Sequence, residues 1–258
     1  VGITCMFTMT HGSFKGVCEY IAEQGYPVAI GGVHVTNDVE RVLDDIPVVN
    51  MAFLNEAELA MVRLVEVVNG KRPVEDLAQV ILVDGKERHR IRKEAKPQAE
   101  DIDVIPAYDL LPMEEMSNYG TVGAFYCFKP RGTRFATVLS NRGCRAQCTF
   151  CSVRTFNGVG VRQRSIDSVA DEIQLLKDRG IGHLMWLDDD LLKDHRRAIA
   201  LFNEMVKRNI GITWDATNGL IAASCDDEVV AAMAASGCIA VNIGMESGNP
   251  QILRQIKK

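Results

Sequence analysis

The sequence lacks the features that mark membrane, secreted and nucleic-acid-binding proteins. Its 258 residues contain no run of 18 apolar positions and no charged-then-apolar leader, so we expect neither a membrane span nor a signal peptide. The sequence has no block of Lys and Arg, and its formal net charge is -5. These features favour a small-molecule substrate over nucleic acid. Eight cysteines are too few for a disulfide scaffold of this length, so we expect a reducing, cytoplasmic location.

The composition is that of a globular protein, but both ends of the sequence look like interior segments. With 47% apolar and 24% charged residues, the chain can build one large domain or two smaller ones. It begins with Val1, inside a strand-like stretch, and residues 251–258 have the pattern of a helix that has only begun. We therefore expect an internal fragment of a longer protein.

Residues 1–70 alternate strand-like and helix-like patterns. The apolar face expected for the helix near 56–69 consists of Leu59, Val62, Val65 and Val68. Strand, helix and strand of these lengths predict a parallel sheet with right-handed crossovers, as in half of a doubly wound domain. Ligands of such sheets bind where the strands end, which here means the loops 8–13 and 31–36.

The second of these loops has the sequence G-G-V-H-V-T over residues 31–36. Its two glycines let the backbone approach a ligand closely, although Gly-Gly after a strand is also an ordinary turn. His34 either contacts a ligand or merely ends the strand. His11, in the first loop, is interpreted as a loop histidine.

Residues 71–130 are predicted to connect two domains. The Asp84-Gly85 pair between two strand-like runs indicates a hairpin, which we interpret as a small platform between the domains. The acidic stretch 96–112 is punctuated by prolines and is predicted to be the linker.

Residues 131–258 contain four strand-and-helix units. Strands are predicted near 133–140, 183–187, 212–216 and 239–244, with helices between them. This order is typical of a parallel β/α barrel, whose active face is formed by the loops at the carboxyl ends of the strands.

The loop after the first of these strands carries three cysteines in the spacing C-x3-C-x2-C: Cys144, Cys148 and Cys151. Thiolates this close together can bind three corners of one iron-sulfur cube and leave one iron open. The alternatives are a zinc site or three unrelated core cysteines. A structural zinc site normally has a fourth Cys or His at short spacing, which this loop lacks, so the cluster is favoured.

This motif, with the aromatic Phe150 before the third cysteine, resembles the signature of the radical S-adenosylmethionine (SAM) enzymes. Residues 244–248, G-M-E-S-G, resemble a SAM-binding stretch of that family, and residues 31–34 resemble the G-G-x-H of the cobalamin-binding domain found in one large subfamily. The chain departs from the subfamily in two places. Residues 54–58 are L-N-E-A-E where G-E-G-E is common, and the first strands of the domain are missing. Cobalamin domains with a cobalt-ligating histidine show D-x-H-x-x-G, and this motif is absent around His11.

The resemblance implies an α/β protein with a partial Rossmann-like cobalamin-binding domain in residues 1–70 and a partial radical SAM barrel in 131–258. The cofactors would be a 4Fe-4S cluster, SAM and cobalamin. The cluster would be held by Cys144, Cys148 and Cys151. Contacts to SAM are expected from Phe150, Asp188, Asp189, Glu246 and Ser247, and contacts to cobalamin from Gly31, Gly32, His34 and Thr36.

The implied reaction is the one-electron cleavage of SAM to a 5'-deoxyadenosyl radical, followed by cobalamin-dependent methyl transfer to an unactivated carbon. A donor such as flavodoxin or ferredoxin would supply the electron. Two alternatives are cyclisation or oxidation without methyl transfer, and a non-enzymatic cobalamin or iron-sulfur sensor. The sequence does not identify the substrate; candidates for lining its pocket are Tyr126, Arg154, Phe156, Asn157 and Trp214.

Overall fold

The computed structural model describes residues 1–117 and 133–258. The chain divides into two compact units. The first comprises Val1–Pro97 and Ser152–Gly158, and the second comprises Gln98–Cys151 and Val159–Lys258. The short segment after Cys151 therefore belongs to a different unit from the cysteine that precedes it.

The first unit is an α/β sheet with helices on both faces. Its strands are β1 (Gly2–Thr4), β2 (Ala29–Gly31), β3 (Met51–Phe53), β4 (Val80–Asp84) and β5 (Glu87–Ile91). Its helices before residue 98 are α1 (His11–Glu23), α2 (Val33–Asn37), α3 (Val39–Asp45) and α4 (Glu58–Val68). Strands β1, β2 and β3 are parallel, as predicted, and the β4–β5 hairpin continues the same sheet antiparallel to β3. The hairpin is thus an edge of this sheet and not a separate platform.

Successive residues of the strands point to opposite faces of this sheet and build two cores. Ile30 packs on one face with α1 and α3, whereas Phe53 packs on the other with Ala60 of α4. The predicted apolar face of α4 is wrong, because Val62 and Val68 are exposed. The small Ala60, with Leu64 and Val67, faces the sheet instead, since its size allows the helix to lie close to the strands.

The second unit contains the predicted parallel strands. Its elements, together with α7, which groups with the first unit, are α5 (Ala99–Ile102), α6 (Met113–Met116), β6 (Phe135–Val138), β7 (Asn141–Arg142), α7 (Val153–Asn157), β8 (Arg162–Gln163), α8 (Ile166–Asp178), β9 (His183–Trp186), α9 (His195–Lys207), β10 (Thr213–Leu220), α10 (Asp227–Ala235), β11 (Cys238–Ile243) and α11 (Pro250–Gln255). Strands β6, β9, β10 and β11 form a four-stranded parallel sheet in the order β11-β10-β9-β6. The predicted series of β/α units is confirmed.

An aromatic cluster and a buried polar network stabilise this unit. Trp214 stacks on Phe202 with ring centroids 5.1 Å apart, and Trp186 packs against both rings. Tyr108, from the stretch predicted to be a linker, is buried and donates a hydrogen bond to Glu172 Oε1 at 2.5 Å. That part of the stretch therefore packs in the core of the second unit.

Within the described residues, no helix is both long and apolar enough to cross a membrane.

Candidate functional site

The three-cysteine loop begins at the carboxyl end of β6, on the edge of the parallel sheet where β/α proteins bind their ligands. A short antiparallel pairing of β7 with β8 closes its base. Gly143 has φ 92°, and a Cβ there would lie 2.3 Å from the carbonyl oxygen of Gly160. Only glycine fits at this position, which turns the chain directly into Cys144.

The cysteines lie on the loop with different exposures: Cys144 and Cys148 are half-buried and Cys151 is exposed. The N–H of Ala146 donates to Cys144 Sγ at 3.4 Å, and the N–H of Cys151 donates to the carbonyl oxygen of Cys148 at 3.2 Å. Among the described residues, no three His, Cys, Asp or Glu side chains are grouped closely enough to hold a metal ion. The loop nonetheless offers three thiols within eight residues, and a backbone N–H donates to one of the sulfurs. This set of donors fits a cluster with three protein ligands.

The aspartates that follow β9 bind this loop through three successive carboxylates. Asp188 is buried and accepts hydrogen bonds from the backbone N–H of Ser140 at 2.6 Å and from its hydroxyl at 2.5 Å. Burial raises the pKa of Asp188 to about 6. Through its two hydrogen bonds with Ser140, this side chain holds the chain where β6 passes into the cysteine loop.

Asp189 and Asp190 hold the next part of the loop. Asp189 Oδ2 accepts from the N–H of Gly143 at 3.1 Å, and its Oδ1 accepts from Asn218 at 3.3 Å. Asp190 Oδ2 accepts from the N–H of Arg145 at 3.2 Å and lies 3.2 Å from that residue's Nε. Its buried Oδ1 has no hydrogen-bond partner among the described residues.

These bonds assign Asp188 and Asp189 a role that the sequence did not reveal, which is to brace the cysteine loop. Their contact with SAM stays a prediction. Asp190 was missed as a site residue, although it is the third acid in a run directly after a buried strand. That run was the one available signal.

The stretch after β11 lies at the same edge of the sheet. Glu246 has φ 54° and is exposed, with its Oε1 3.1 Å from Lys258 Nζ. Ser247 Oγ accepts from the N–H of Asn249 at 3.0 Å. Phe150 is exposed in the cysteine loop, which is tied to the chain's end by the N–H of Thr149 donating to Ile256. Glu246 thus pairs with Lys258 and Ser247 bonds to Asn249, and their binding of SAM stays a prediction.

In the first unit, the predicted loop 31–36 leaves β2 and enters α2. Gly32 has φ 104°, and a Cβ there would lie 2.4 Å from the carbonyl oxygen of Cys5 and 2.7 Å from Thr4 Oγ1. The glycine is therefore required for packing against the end of β1, whether or not a ligand approaches. Thr36 Oγ1 accepts from the N–H of Asn55 at 2.8 Å, which links this loop to the one after β3.

His34 is buried, and both of its ring nitrogens have protein partners. Its Nδ1 lies 3.0 Å from Thr8 Oγ1, and its Nε2 lies 2.9 Å from His11 Nδ1. His11 continues the chain through its Nε2 to Asp45 Oδ2 at 2.9 Å. Burial, followed by the neighbouring His11, lowers the pKa of His34, which favours the neutral ring. The two histidines line a cavity of about 560 Å³ in this unit.

The residues predicted to line a substrate pocket are not brought together as a set. Phe156 and Asn157 line a cavity of about 500 Å³ in the first unit, whereas Arg154, on the same helix, is not among its lining residues. Trp214 is buried in the second unit with its Nε1 donating to Ser236 at 3.1 Å, so it is a core residue. Tyr126 lies outside the described residues.

Comparison with known proteins supports the sequence motifs. Residues 138–258 match the family described as the Radical SAM superfamily. The whole chain is 29% identical to an uncharacterised methyltransferase of Pyrococcus horikoshii, of which it covers 54%. Over 89% of its length it is 28% identical to the cytidylyl-2-hydroxyethylphosphonate methyltransferase of Streptomyces wedmorensis, covering 46% of that protein. Over 89% of its length the chain is also 26% identical to the anaerobic magnesium-protoporphyrin IX monomethyl ester cyclase of Rubrivivax gelatinosus, of which it covers 40%.

The fold matches solved structures at lower sequence identity. The radical SAM methyltransferase TsrM from Kitasatospora setae, solved with cobalamin and a 4Fe-4S cluster, superposes with a TM-score of 0.80. The match covers 98% of this chain and 51% of TsrM at 19% identity. OxsB, a cobalamin-dependent SAM radical enzyme, gives a TM-score of 0.73 at 19% identity over 99% of this chain and 36% of OxsB. The chain thus spans about half the length of the first relatives it matches. Residues 138–258 thus match the Radical SAM superfamily, and over nearly its whole length the chain shares the fold of TsrM and OxsB.

Proposed function

We propose that the protein is a radical SAM enzyme that uses a 4Fe-4S cluster, SAM and cobalamin to transfer a methyl group to an unactivated carbon of a small molecule. One observation carries the proposal. The C-x3-C-x2-C loop lies at the carboxyl edge of a parallel sheet, within the segment that matches the radical SAM superfamily. Methyltransferases among the relatives support the type of reaction.

Cys144, Cys148 and Cys151 would hold the cluster, and the three aspartates after β9 would hold the loop that carries them. When bound, the cluster and SAM supply a one-electron cleavage of the sulfonium bond, and cobalamin supplies the methyl carrier. The protein's own contribution is orientation and exclusion of water. Asp188 and Asp190 orient the loop because their hydrogen bonds fix Ser140, which precedes the loop, and Arg145, which directly follows its first cysteine.

SAM would be bound by Glu246 and Ser247, with Phe150, Asp188 and Asp189 close to it. Glu246 is the strongest of these candidates because it is exposed at the carboxyl end of β11 and its carboxylate can accept from both ribose hydroxyls. Its present partner is Lys258, an exposed pair that contributes little stability and is readily exchanged for a ligand.

Cobalamin would bind at the carboxyl edge of the first sheet, close to Gly31, Gly32, His34 and Thr36. We infer that no histidine ligates cobalt. His34 is the histidine on the predicted loop, and its two nitrogens are engaged by Thr8 and His11. The role of His34 would then be to order the loop, through the hydrogen-bonded series that ends at Asp45.

A second candidate reaction is ring closure without methyl transfer, because one of the relatives is a magnesium-protoporphyrin IX monomethyl ester cyclase. The one-electron donor, such as a flavodoxin or ferredoxin, and the cytoplasmic location both stay predictions. So do the domain boundaries at residues 70 and 130.

Isotope transfer in a gene-deletion strain separates the two reactions. Anaerobic extract of that strain is incubated with the cofactor-loaded, full-length protein and SAM labelled in its methyl group. Methyl transfer predicts label in a small molecule that accumulates unmethylated in the deletion strain. A changed metabolite without label would favour the cyclase. If no metabolite is labelled and none changes, the proposed function is contradicted.

A further inference from the structure

The helix that directly follows Cys151 is too short to be stable alone. α7 has five residues, and nucleating a helix costs more than so few hydrogen bonds return. Ser152 at its N-cap makes no side-chain hydrogen bond to it. Contacts from outside the helix must therefore hold it in place.

One side chain of the first unit caps the end of this helix. Asn55 Nδ2 donates hydrogen bonds to the carbonyl oxygens of Thr155 at 2.9 Å and Phe156 at 3.0 Å. The last carbonyls of a helix have no partner within it and carry partial negative charge, so an N–H donor at this end is doubly favourable.

Asn55 is itself held in a fixed orientation. Its φ of 59° is in the left-handed region, which Asn tolerates better than most residues. Its N–H donates to Thr36 Oγ1 at 2.8 Å, and Gln79 Nε2 donates to the carbonyl oxygens of Leu54 at 3.0 Å and Glu56 at 3.1 Å. The loop presents the amide to α7 without further ordering.

We propose that Asn55 is a positioning residue that fixes the segment after the third cysteine and thereby orders Cys151. Because Ser152–Gly158 belongs to the first unit while Cys151 belongs to the second, Asn55 acts on the cluster loop through one peptide connection. That Cys151 holds a cluster rests on the proposed function. The cap on α7 does not, so it can be tested on protein without cofactors.

The test is hydrogen–deuterium exchange of the cofactor-free protein, comparing the parent with Asn55→Asp. The carboxylate has the shape of the amide but cannot donate, and it would face two carbonyl oxygens. Exchange of the α7 amides should become about tenfold faster, which corresponds to about 1.4 kcal/mol. Asn69→Asp is the matched control, because Asn69 Nδ2 donates to the carbonyl oxygen of Val65 at 2.7 Å at the end of α4. Its effect should be confined to α4.

Asn55→Gly is the second variant, since glycine keeps the positive φ but has no side chain, and it should speed exchange in α7 similarly. With the cluster loaded, iron release to a chelator should be several-fold faster in both Asn55 variants and unchanged in Asn69→Asp. Unchanged exchange in α7, or equal acceleration throughout the first unit, would overturn the proposal. If the parent loads no cluster, the proposed function fails, while the exchange result still decides the role of Asn55 at α7.

Discussion

Asp190 Oδ2 accepts a hydrogen bond from the N–H of Arg145 at 3.2 Å and lies equally far from the Nε of the same residue. Arg145 comes directly after Cys144, so this carboxylate fixes the loop at its first cysteine from 45 residues further along the chain. The Oδ1 of Asp190 is buried beside it and has no hydrogen-bond partner in the part of the chain that the structure describes.

Asp190→Ala should destabilise the second unit by about 1.5 to 3 kcal/mol, because hydrogen bonds to a charged group are lost from a buried site. Asp190→Asn should cost less, since its amide oxygen can still accept from Arg145. Urea unfolding followed by tryptophan fluorescence measures this, because both tryptophans lie in this unit. Asp178→Ala, an exposed acid on α8, is the control; an equal loss there would contradict the assignment.

The raised pKa of Asp188 predicts that the stability of the protein depends on pH. The pKa of this side chain is raised to about 6 from an ordinary value of 3.8, so the folded state binds the proton more tightly than the unfolded state. Its contribution to stability is present below pH 3.8 and is lost as the pH rises through about 6.

Asp188→Asn cannot ionise, and its amide can still bond to Ser140. The free energy of unfolding of the variant minus that of the parent should therefore increase by up to about 1.4 kcal/mol per pH unit between about pH 4 and 6 and then level off. Urea titrations across this range provide the measurement. A difference that does not vary with pH would show that burial does not raise the pKa.

Glu246→Gln should weaken SAM binding about ten- to a hundredfold, because charge-assisted hydrogen bonds worth about 1.5 to 3 kcal/mol are lost. Calorimetry with cluster-loaded protein measures the dissociation constant, and iron content should stay at the parent level. Glu228→Gln, on the exposed surface of α10, is the matched control. An unchanged constant for Glu246→Gln would remove this residue from the site.

The full-length protein loaded with cob(II)alamin should show no histidine nitrogen on cobalt. His34 has both ring nitrogens engaged, and its lowered pKa comes from burial and from His11. Electron paramagnetic resonance of protein grown with nitrogen-15-labelled histidine checks this. A hyperfine pattern that changes with the label would rule out the no-ligand assignment, and protein without corrinoid would rule out cobalamin binding.

The sequence was sufficient for the order of strands and helices and for the cysteine loop, because both depend on local periodicity or spacing. It was insufficient wherever distant segments meet. The bond between Asp190 and Arg145 depends on how β9 aligns with β6, which no local pattern encodes.

The face of α4 was mispredicted for a related reason. Apolar residues occupy two stripes of this helix, and the surface of the sheet, not the helix, selects the one that contains Ala60. Gly32 is a third residue whose packing the local sequence pattern did not reveal. Its motif indicated a ligand, whereas contact with Cys5 already requires a glycine there.

The cluster assignment is tested most directly by counting iron and sulfide after anaerobic reconstitution of the parent, Cys148→Ala and Cys225→Ala. Cys225 is half-buried outside the loop and serves as the matched control. We expect about four iron and four sulfide per chain for the parent and for Cys225→Ala, and a large loss for Cys148→Ala. Parent-level iron and sulfide in Cys148→Ala would contradict the cluster assignment.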